Sequence, residues 1–292
     1  MQNSDVTNLR ALRPANLDLA KPLRAGGFIV TLFGDVVAPR GGDVWIGNII
    51  AFCAPFGISE TLIRTAMSRL VSAGQIAGLR QGRRSYYRLT DAARQEYAQA
   101  GTRIYGDARA RHWRLVFCPA GDAAALCGSD TLAGHVALND EIALGPDDAR
   151  VPEGLCAFTG PAQGSEAALR AMAQKLWNLE DLAQEYAGFL DLAAQINALM
   201  PLTGAEALEA RVLIVHAFRQ IALRDPRLPL AALPSDWAGL RAREIFAQTY
   251  LALSAEADSH VAAAFEGAEG PLQSHTPAGE ARYALLRESL SE

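Results

Sequence analysis

The sequence predicts an α+β multidomain fold, and three observations carry that expectation. Apolar residues recur at helical spacing through much of 24–104 and again through 166–265. Short β-prone runs bounded by Gly, Asp and Pro interrupt the pattern at 76–89 and 113–158, and the charges are sorted along the chain. With 292 residues, 50% hydrophobic and 20% charged, the chain can bury a sizeable core, which excludes intrinsic disorder for most of its length. Residues 1–116 carry 16 Lys+Arg against 8 Asp+Glu, whereas 117–292 carry 11 against 24, so the net charge of -5 hides a basic head and an acidic remainder. Within the head, 61–90 holds six arginines and no acid. Such an island favours a polyanion, although charge taken alone leaves a solvated basic face as the leading reading.

The elements follow in order. Residues 1–20 mix Asn, Asp, Arg and Pro and are expected to form a flexible tail. Phe28, Ile29, Leu32, Phe33 and Val36 predict a first helix over 24–37. Gly41-Gly42 breaks the chain and leaves Asp43 as the expected N-cap of a second helix over 44–52. A third helix starts after Ser59, its N-cap, and ends at Gly74. Leu62, Ile63, Ala66, Leu70 and Val71 form its inward stripe, opposite Thr61, Arg64, Thr65, Ser68 and Ser72. Residues 76–80 and 84–89 predict a hairpin turning at Gln81-Gly82, and Thr90-Asp91 opens a helix to about 104. Three helices, a basic-tipped hairpin and a further helix are the element order of a winged helix-turn-helix, placed at 21–105.

Beyond it, β-prone runs at 113–118, 135–138 and 155–158 predict a small α+β unit at 106–165. A helical domain is expected over 166–268, with one helix over 166–199, another from a capping box at Thr203 to Glu206 through Leu223, and a last one over 236–265. Residues 269–292, rich in Gly, Pro, Ser and His, read as a mobile tail with at most a short terminal helix. No apolar run reaches the ~20 residues that span a bilayer, and 1–21 lacks a signal-peptide pattern. A cytoplasmic protein with no membrane partner is expected. The four cysteines form no CxxC and are expected to be reduced, mostly buried thiols.

The third helix and the hairpin make a coherent reader of double-stranded DNA. Thr61, Arg64, Thr65 and Ser68 occupy successive turns of one face, where arginine can bridge guanine O6 and N7 and hydroxyls can meet phosphates or bases. Ser59 and Arg69 border that face, Arg69 as a phosphate contact, while Arg80, Gln81, Arg83, Arg84 and Tyr86 belong to the wing beside the backbone or minor groove.

No catalytic residue is assigned. The five histidines show no ligand spacing, so neither a metal site nor a cofactor is expected, and His216, inside an apolar run, reads as a core histidine. Gly26-Gly27 and Gly41-Gly42 lack a P-loop lysine, no serine sits in a GxSxG elbow, and the acidic pairs 140–141, 147–148 and 180–181 look like solvated faces.

Several separated motifs resemble the PaaX-like repressors of phenylacetate catabolism. They are TLFGD at 31–35, GGDVWIG at 41–47, PFG at 55–57, IRTA at 63–66, GRRSYYRLT at 82–90, DPRLP at 225–229 and LPSDWAG at 233–239 with Ala242-Arg243. The resemblance implies a DNA-binding head, a middle ferredoxin-like unit similar to Cas2, and a helical C-terminal domain for effector binding and dimerisation. It also implies a homodimer that represses an aromatic catabolic operon and leaves its operator when phenylacetyl-CoA or a related acyl-CoA binds. The stretch 119–134 is short and lacks the family's Arg-rich helix and Gly-Phe-Gly turn.

A CoA thioester needs cations for its phosphates, and Arg103, Arg109, Arg111 and Arg114 cluster in sequence where the first two predicted domains join. They are the expected effector contacts, against the alternative of an interdomain ion-pair network. Two rival functions stand beside the repressor: an enzyme acting on CoA thioesters or nucleic acid, and a module whose basic head docks on an acidic protein.

Overall fold

The computed structural model describes residues 23–106, 109–148 and 151–291. The expected tail at 1–20 lies outside them. The described residues divide into two compact units: the first gathers those up to 106, 187–220 and 242–291, and the second those of 109–186 and 221–241. The helices expected to form a separate C-terminal domain are therefore shared out between the units.

In the first unit, α1 (Ala25–Leu32) continues through a π-helical turn, Phe33–Val37, and a 3-10 turn, Ala38–Arg40. Asp43 does not cap the next helix. It begins a short strand, β1 (Asp43–Trp45), whose register partner is Arg88, and the helix α2 (Ile46–Cys53) follows with Trp45 at its N-cap position. Next come α3 (Glu60–Ser72), β2 (Ile76–Gln81), β3 (Arg84–Leu89) and α4 (Asp91–Tyr105), which Thr90 caps by accepting from the Ala93 N–H at 3.2 Å. The sheet is antiparallel in the order β1-β3-β2. An aromatic core runs beneath these helices: Phe28 meets Phe56 at 4.6 Å and Phe52 at 6.0 Å, and Phe218 stacks on Phe246 at 4.2 Å between ring centroids.

The second unit holds an antiparallel four-stranded sheet in the order Val136–Ala137, Ile142–Pro146, Trp113–Phe117 and Cys156–Gly160. Its elements are β4 (Trp113–Phe117), the short helix α5 (Ala123–Cys127), β5 (Val136–Ala137), β6 (Ile142–Pro146) and β7 (Cys156–Gly160). Strand β6 has no counterpart among the expected β-prone runs. Asn139 makes the hairpin, its Oδ1 accepting from the Glu141 and Ile142 N–H groups at 2.9 Å each. Val116, Cys118, Ala123, Leu132 and Ala143 are the buried core on one face of this sheet.

The helix expected over 166–199 is two, α6 (Glu166–Leu176) and α7 (Leu179–Ala198), parted where Trp177 leaves the helical path and donates its indole N–H to the Gly134 carbonyl at 2.9 Å. After α8 (Gly204–Ala222), the 225–239 stretch is mostly buried. Asp225 accepts from the Tyr186 hydroxyl and from the Arg227 N–H, both at 2.7 Å, and Trp237 packs against Tyr186, so this motif is a folding element. Helix α9 (Ala238–Ala264) leads to the small hairpin β8 (Glu266–Gly267) and β9 (Gly270–Pro271) and then to α10 (Pro277–Glu288). The expected mobile tail is thus a docked helix: Tyr283 and Leu286 are buried, and Arg282 reaches Asp35 at 2.9 Å. Its polar composition hid two buried positions three residues apart.

Candidate nucleic-acid interface

The helix α3 forms because Ser59 supplies a cap, its Oγ accepting from the Leu62 N–H at 3.4 Å, ahead of an apolar stripe. The buried positions are Ile63, Ala66 and Met67. Leu62 and Val71, expected inward, are 55% and 41% exposed, because at 100° per residue they lie on the flanks of that stripe; Met67 takes the inward place. Thr61, Arg64, Thr65, Ser68 and Arg69 are all exposed. Thr61, Thr65, Ser68 and Ser72 fall within a band of about 60°, flanked by Leu62 and Arg69 on one side and Arg64 and Val71 on the other. Two polar groups on this face are engaged within the helix: Arg64 pairs with Glu60 at 2.7 Å, and the Thr65 hydroxyl donates to the Thr61 carbonyl at 2.8 Å.

The hairpin turns one residue later than expected, at Gly82-Arg83, with Gln81 and Arg84 as the last register pair. Gly82 has φ +62°, a left-handed conformation that glycine adopts without strain. Arg80, Gln81, Arg83 and Arg84 are exposed around this tip. Arg84 is half-exposed, lies over the Trp45 ring at 4.7 Å from its centroid and forms an ion pair with Glu266. Tyr86, expected in the interface, is 6% exposed: it faces Trp45 and Leu79 in the sheet register and belongs to the core. Ser59 is exposed, but its hydroxyl serves the helix cap.

The four arginines expected to hold an effector divide differently. Arg103 lies on α4 in the first unit, where its carbonyl accepts from Arg243 at 3.2 Å; Arg109, Arg111 and Arg114 belong to the second. Asp147 ties the main chain at Arg111 to the side chain of Arg114: its carboxylate accepts from the Arg111 and His112 backbone N–H groups at 3.1 and 3.2 Å, and its carbonyl accepts from the Arg114 guanidinium at 2.9 Å. Burial would raise the Asp147 carboxyl, but the His112 N–H, the His112 ring and the Arg111 N–H outweigh it and hold the group below its ordinary value. Asp147 is therefore a structural clasp, not the solvated face expected of it. In the same unit, a groove of about 690 Å³ lies among Trp113, Leu115, Leu144, Phe158, Leu169 and Met172; none of the four arginines lines it.

His216 is a satisfied core histidine. Its Nδ1 lies 2.8 Å from Thr31 Oγ1 and its Nε2 2.7 Å from Gln220 Nε2. Thr31 already donates to the Gly27 carbonyl, so the consistent neutral tautomer donates from Nδ1 and accepts at Nε2. Burial, reinforced by Arg219, lowers its pKa to about 4. Among the described residues, no group of three or more His, Cys, Asp or Glu is gathered as a metal site would require, and no helix is long and apolar enough to cross a membrane. All four cysteines are free; Cys53 and Cys118 are buried, Cys127 is half-buried and Cys156 is exposed, with burial pushing the Cys53 thiol up to about 12.

One cluster had no counterpart in the sequence reading. Asp35, fully buried in the π-turn, accepts from Arg211 Nε at 3.0 Å, Arg282 at 2.9 Å, and the hydroxyls of Tyr105 at 3.1 Å and Tyr250 at 2.7 Å. Asp258 takes Arg211 at 2.6 Å, Arg40 and the Tyr283 hydroxyl. Burial alone would raise the Asp35 carboxyl, but Arg211 and Arg282, then Tyr250 and Arg40, hold it below the ordinary carboxylate value. The available signal was Arg211 itself, a charge inside the run Ala210 to Val215, which is otherwise apolar.

Comparison with known proteins is consistent with this architecture. Residues 24–93 match the profile of the PaaX-like protein family, and 177–263 that of the PaaX-like protein C-terminal domain. The chain is similar to the transcriptional repressor PaaX of Escherichia coli (strain K12), 29% identical over 280 residues that cover 87% of this chain and 88% of that one. A solved structure, an uncharacterized protein from Mycobacterium tuberculosis, shares the fold at a TM-score of 0.50 and 21% identity, covering 80% of this chain and 97% of that one.

Proposed function

The chain belongs to the PaaX-like protein family, and from that membership we propose that it is a transcriptional repressor whose N-terminal head, a winged helix-turn-helix, binds duplex operator DNA. The observation that carries this reading is the exposed face of α3, with Thr61, Arg64, Thr65, Ser68 and Arg69 in view, followed by a hairpin tipped with Arg80, Arg83 and Arg84, all within a stretch that holds no acid. In the major groove, such a helix aims arginine and hydroxyls at base edges and phosphates, while the wing arginines meet the backbone. In a homodimer, two such helices would lie roughly 34 Å apart, or a multiple, on a near-palindromic site.

The effector we assign is an aryl-acyl-CoA of the phenylacetyl-CoA type. The second unit, read as a ferredoxin-like sheet with a single intervening helix, offers Arg109, Arg111 and Arg114 for its phosphates and an apolar groove for its acyl end. Release is a population shift: the effector binds the non-DNA conformation better, and a hundredfold release needs about 2.7 kcal/mol of coupling. Electrophoretic mobility of the upstream promoter fragment, with a panel of aromatic acyl-CoAs, tests both parts. A shifted band dissolved by one acyl-CoA is expected. No sequence-preferring shift would overturn the DNA reading, and turnover of the acyl-CoA would favour an enzyme. In the same assay, neutralising Arg109 and Arg111 is expected to weaken effector release, and unchanged release overturns their assignment.

A further inference from the structure

We propose that Glu266 is a built-in competitor for DNA phosphate at the wing arginine Arg84. The proposal rests on the DNA-binding reading above and adds to it a residue that lowers the head's affinity. Arg84 opens the second strand of the wing, one residue past the Gly82-Arg83 turn, and is the tip arginine already neutralised by a carboxylate.

That carboxylate does not arrive by chance on a loose loop. The Glu266 N–H donates to Asn48 Oδ1 at 2.9 Å, Asn48 Nδ2 donates to the Ala264 carbonyl at 2.7 Å, and the Ala268 N–H donates to Asp43 Oδ1 at 2.7 Å. Between them, Gly267 approaches β1 so closely that a Cβ would stand 2.5 Å from Asp43 Oδ1, and any side chain there would have to push that carboxylate off the Ala268 N–H. Phe265, buried before the hairpin, packs on Phe52 at 6.3 Å between centroids. Strand β1 therefore grips the segment that carries Glu266 and also supplies Trp45, the ring beneath Arg84. The main chain that carries the acid is tied down, and the base lies over an aromatic ring.

The pair is half-exposed on both sides, 48% and 44% of each side chain, a setting in which ion pairs are weak and exchangeable. A DNA phosphate can take the guanidinium from Glu266, but it must displace the carboxylate and then tolerate a negative charge left at the same place. Neutralising Glu266 removes both penalties and adds one uncompensated cation to the DNA-facing charge.

The test is fluorescence anisotropy of a labelled duplex from the upstream region, titrated across KCl concentrations with wild type, Glu266→Gln, Arg84→Gln and the double variant. Glu266→Gln is expected to tighten binding several-fold and to steepen the slope of log K against log salt by about 0.9, one extra phosphate neutralised. In the Arg84→Gln background, the same substitution is expected to give a clearly smaller gain in affinity and slope, because only the repulsion of the bare carboxylate is left to remove. Equal or weaker binding by Glu266→Gln, or an equal gain without Arg84, overturns the proposal while leaving the DNA reading intact. Failure of all four proteins to bind any duplex overturns the reading and the proposal together.

Discussion

Replacing Asp35 by Asn tests the buried cluster most severely, because the substitution keeps the shape and removes only the charge. Three guanidiniums, Arg40, Arg211 and Arg282, share two carboxylates there, so the cluster holds one excess positive charge and Asp35→Asn raises the excess to two. Arg211 has no exposed surface, and water cannot take over the lost pairing. Breaking one partner from a buried ion pair costs about 3–5 kcal/mol, a large share of the roughly 5–15 kcal/mol that holds a native domain. Urea unfolding at pH 7, followed by tryptophan fluorescence and circular dichroism, is expected to show that loss. Arg282→Ala is expected to cost less, because it removes a cation from a cluster with one too many and its side chain is 14% exposed. The acid dependence has the matching sign: a carboxyl lowered by the fold stabilises above its ordinary pKa of 3.8, and the contribution is lost as pH falls through the folded value below that. A loss under about 1 kcal/mol for Asp35→Asn, or a larger loss for Arg282→Ala, would refute the reasoning.

The remaining expectations follow from single residues. His216 titrates near 4 in the fold against 6.5 unfolded, so the unfolded chain takes up its proton first and stability falls between pH 6.5 and 4, by about 3 kcal/mol from this group; urea midpoints measured across that range should flatten in His216→Gln. Leu62, 55% exposed beside Thr61, is placed to meet a thymine methyl: replacing thymines by deoxyuridine one at a time should weaken wild-type binding at one position, and Leu62→Ala should abolish that difference. Arg83→Gln should lower affinity on all duplexes alike and flatten the salt slope by about 0.9, without changing base preference.

Much of the head was legible because local chemistry decides it. Ser59 and Thr90 cap helices where an N-cap residue precedes an apolar stripe, and Gly82 turns a hairpin whose strands are marked by alternation. What escaped were features decided by distant chain. Asp43 has the chemistry of an N-cap, yet strand pairing with β3 and the Ala268 N–H claim it. Tyr86 shares its strand face with Arg84 and Arg88 as a surface residue would, yet it is buried opposite Trp45 and Leu79 in the sheet register. Glu266, which pairs with Arg84, lies 182 residues downstream of it, and Arg211, which pairs with Asp35, lies 176 downstream, beyond any local pattern. The docking of α10 was hidden for the same reason, since Arg282 and Tyr283 show their purpose only beside Asp35 and Asp258.

The central claim is that α3 reads bases while the arginine-tipped hairpin holds the backbone. Affinities of wild type and Arg64→Ala for a set of duplexes, each carrying one base-pair change in the preferred site, test it directly. A loss of about 1–3 kcal/mol on the preferred duplex, with discrimination relaxed at one position, is the expected result. Equal affinity and an unchanged base preference across the whole set would contradict it.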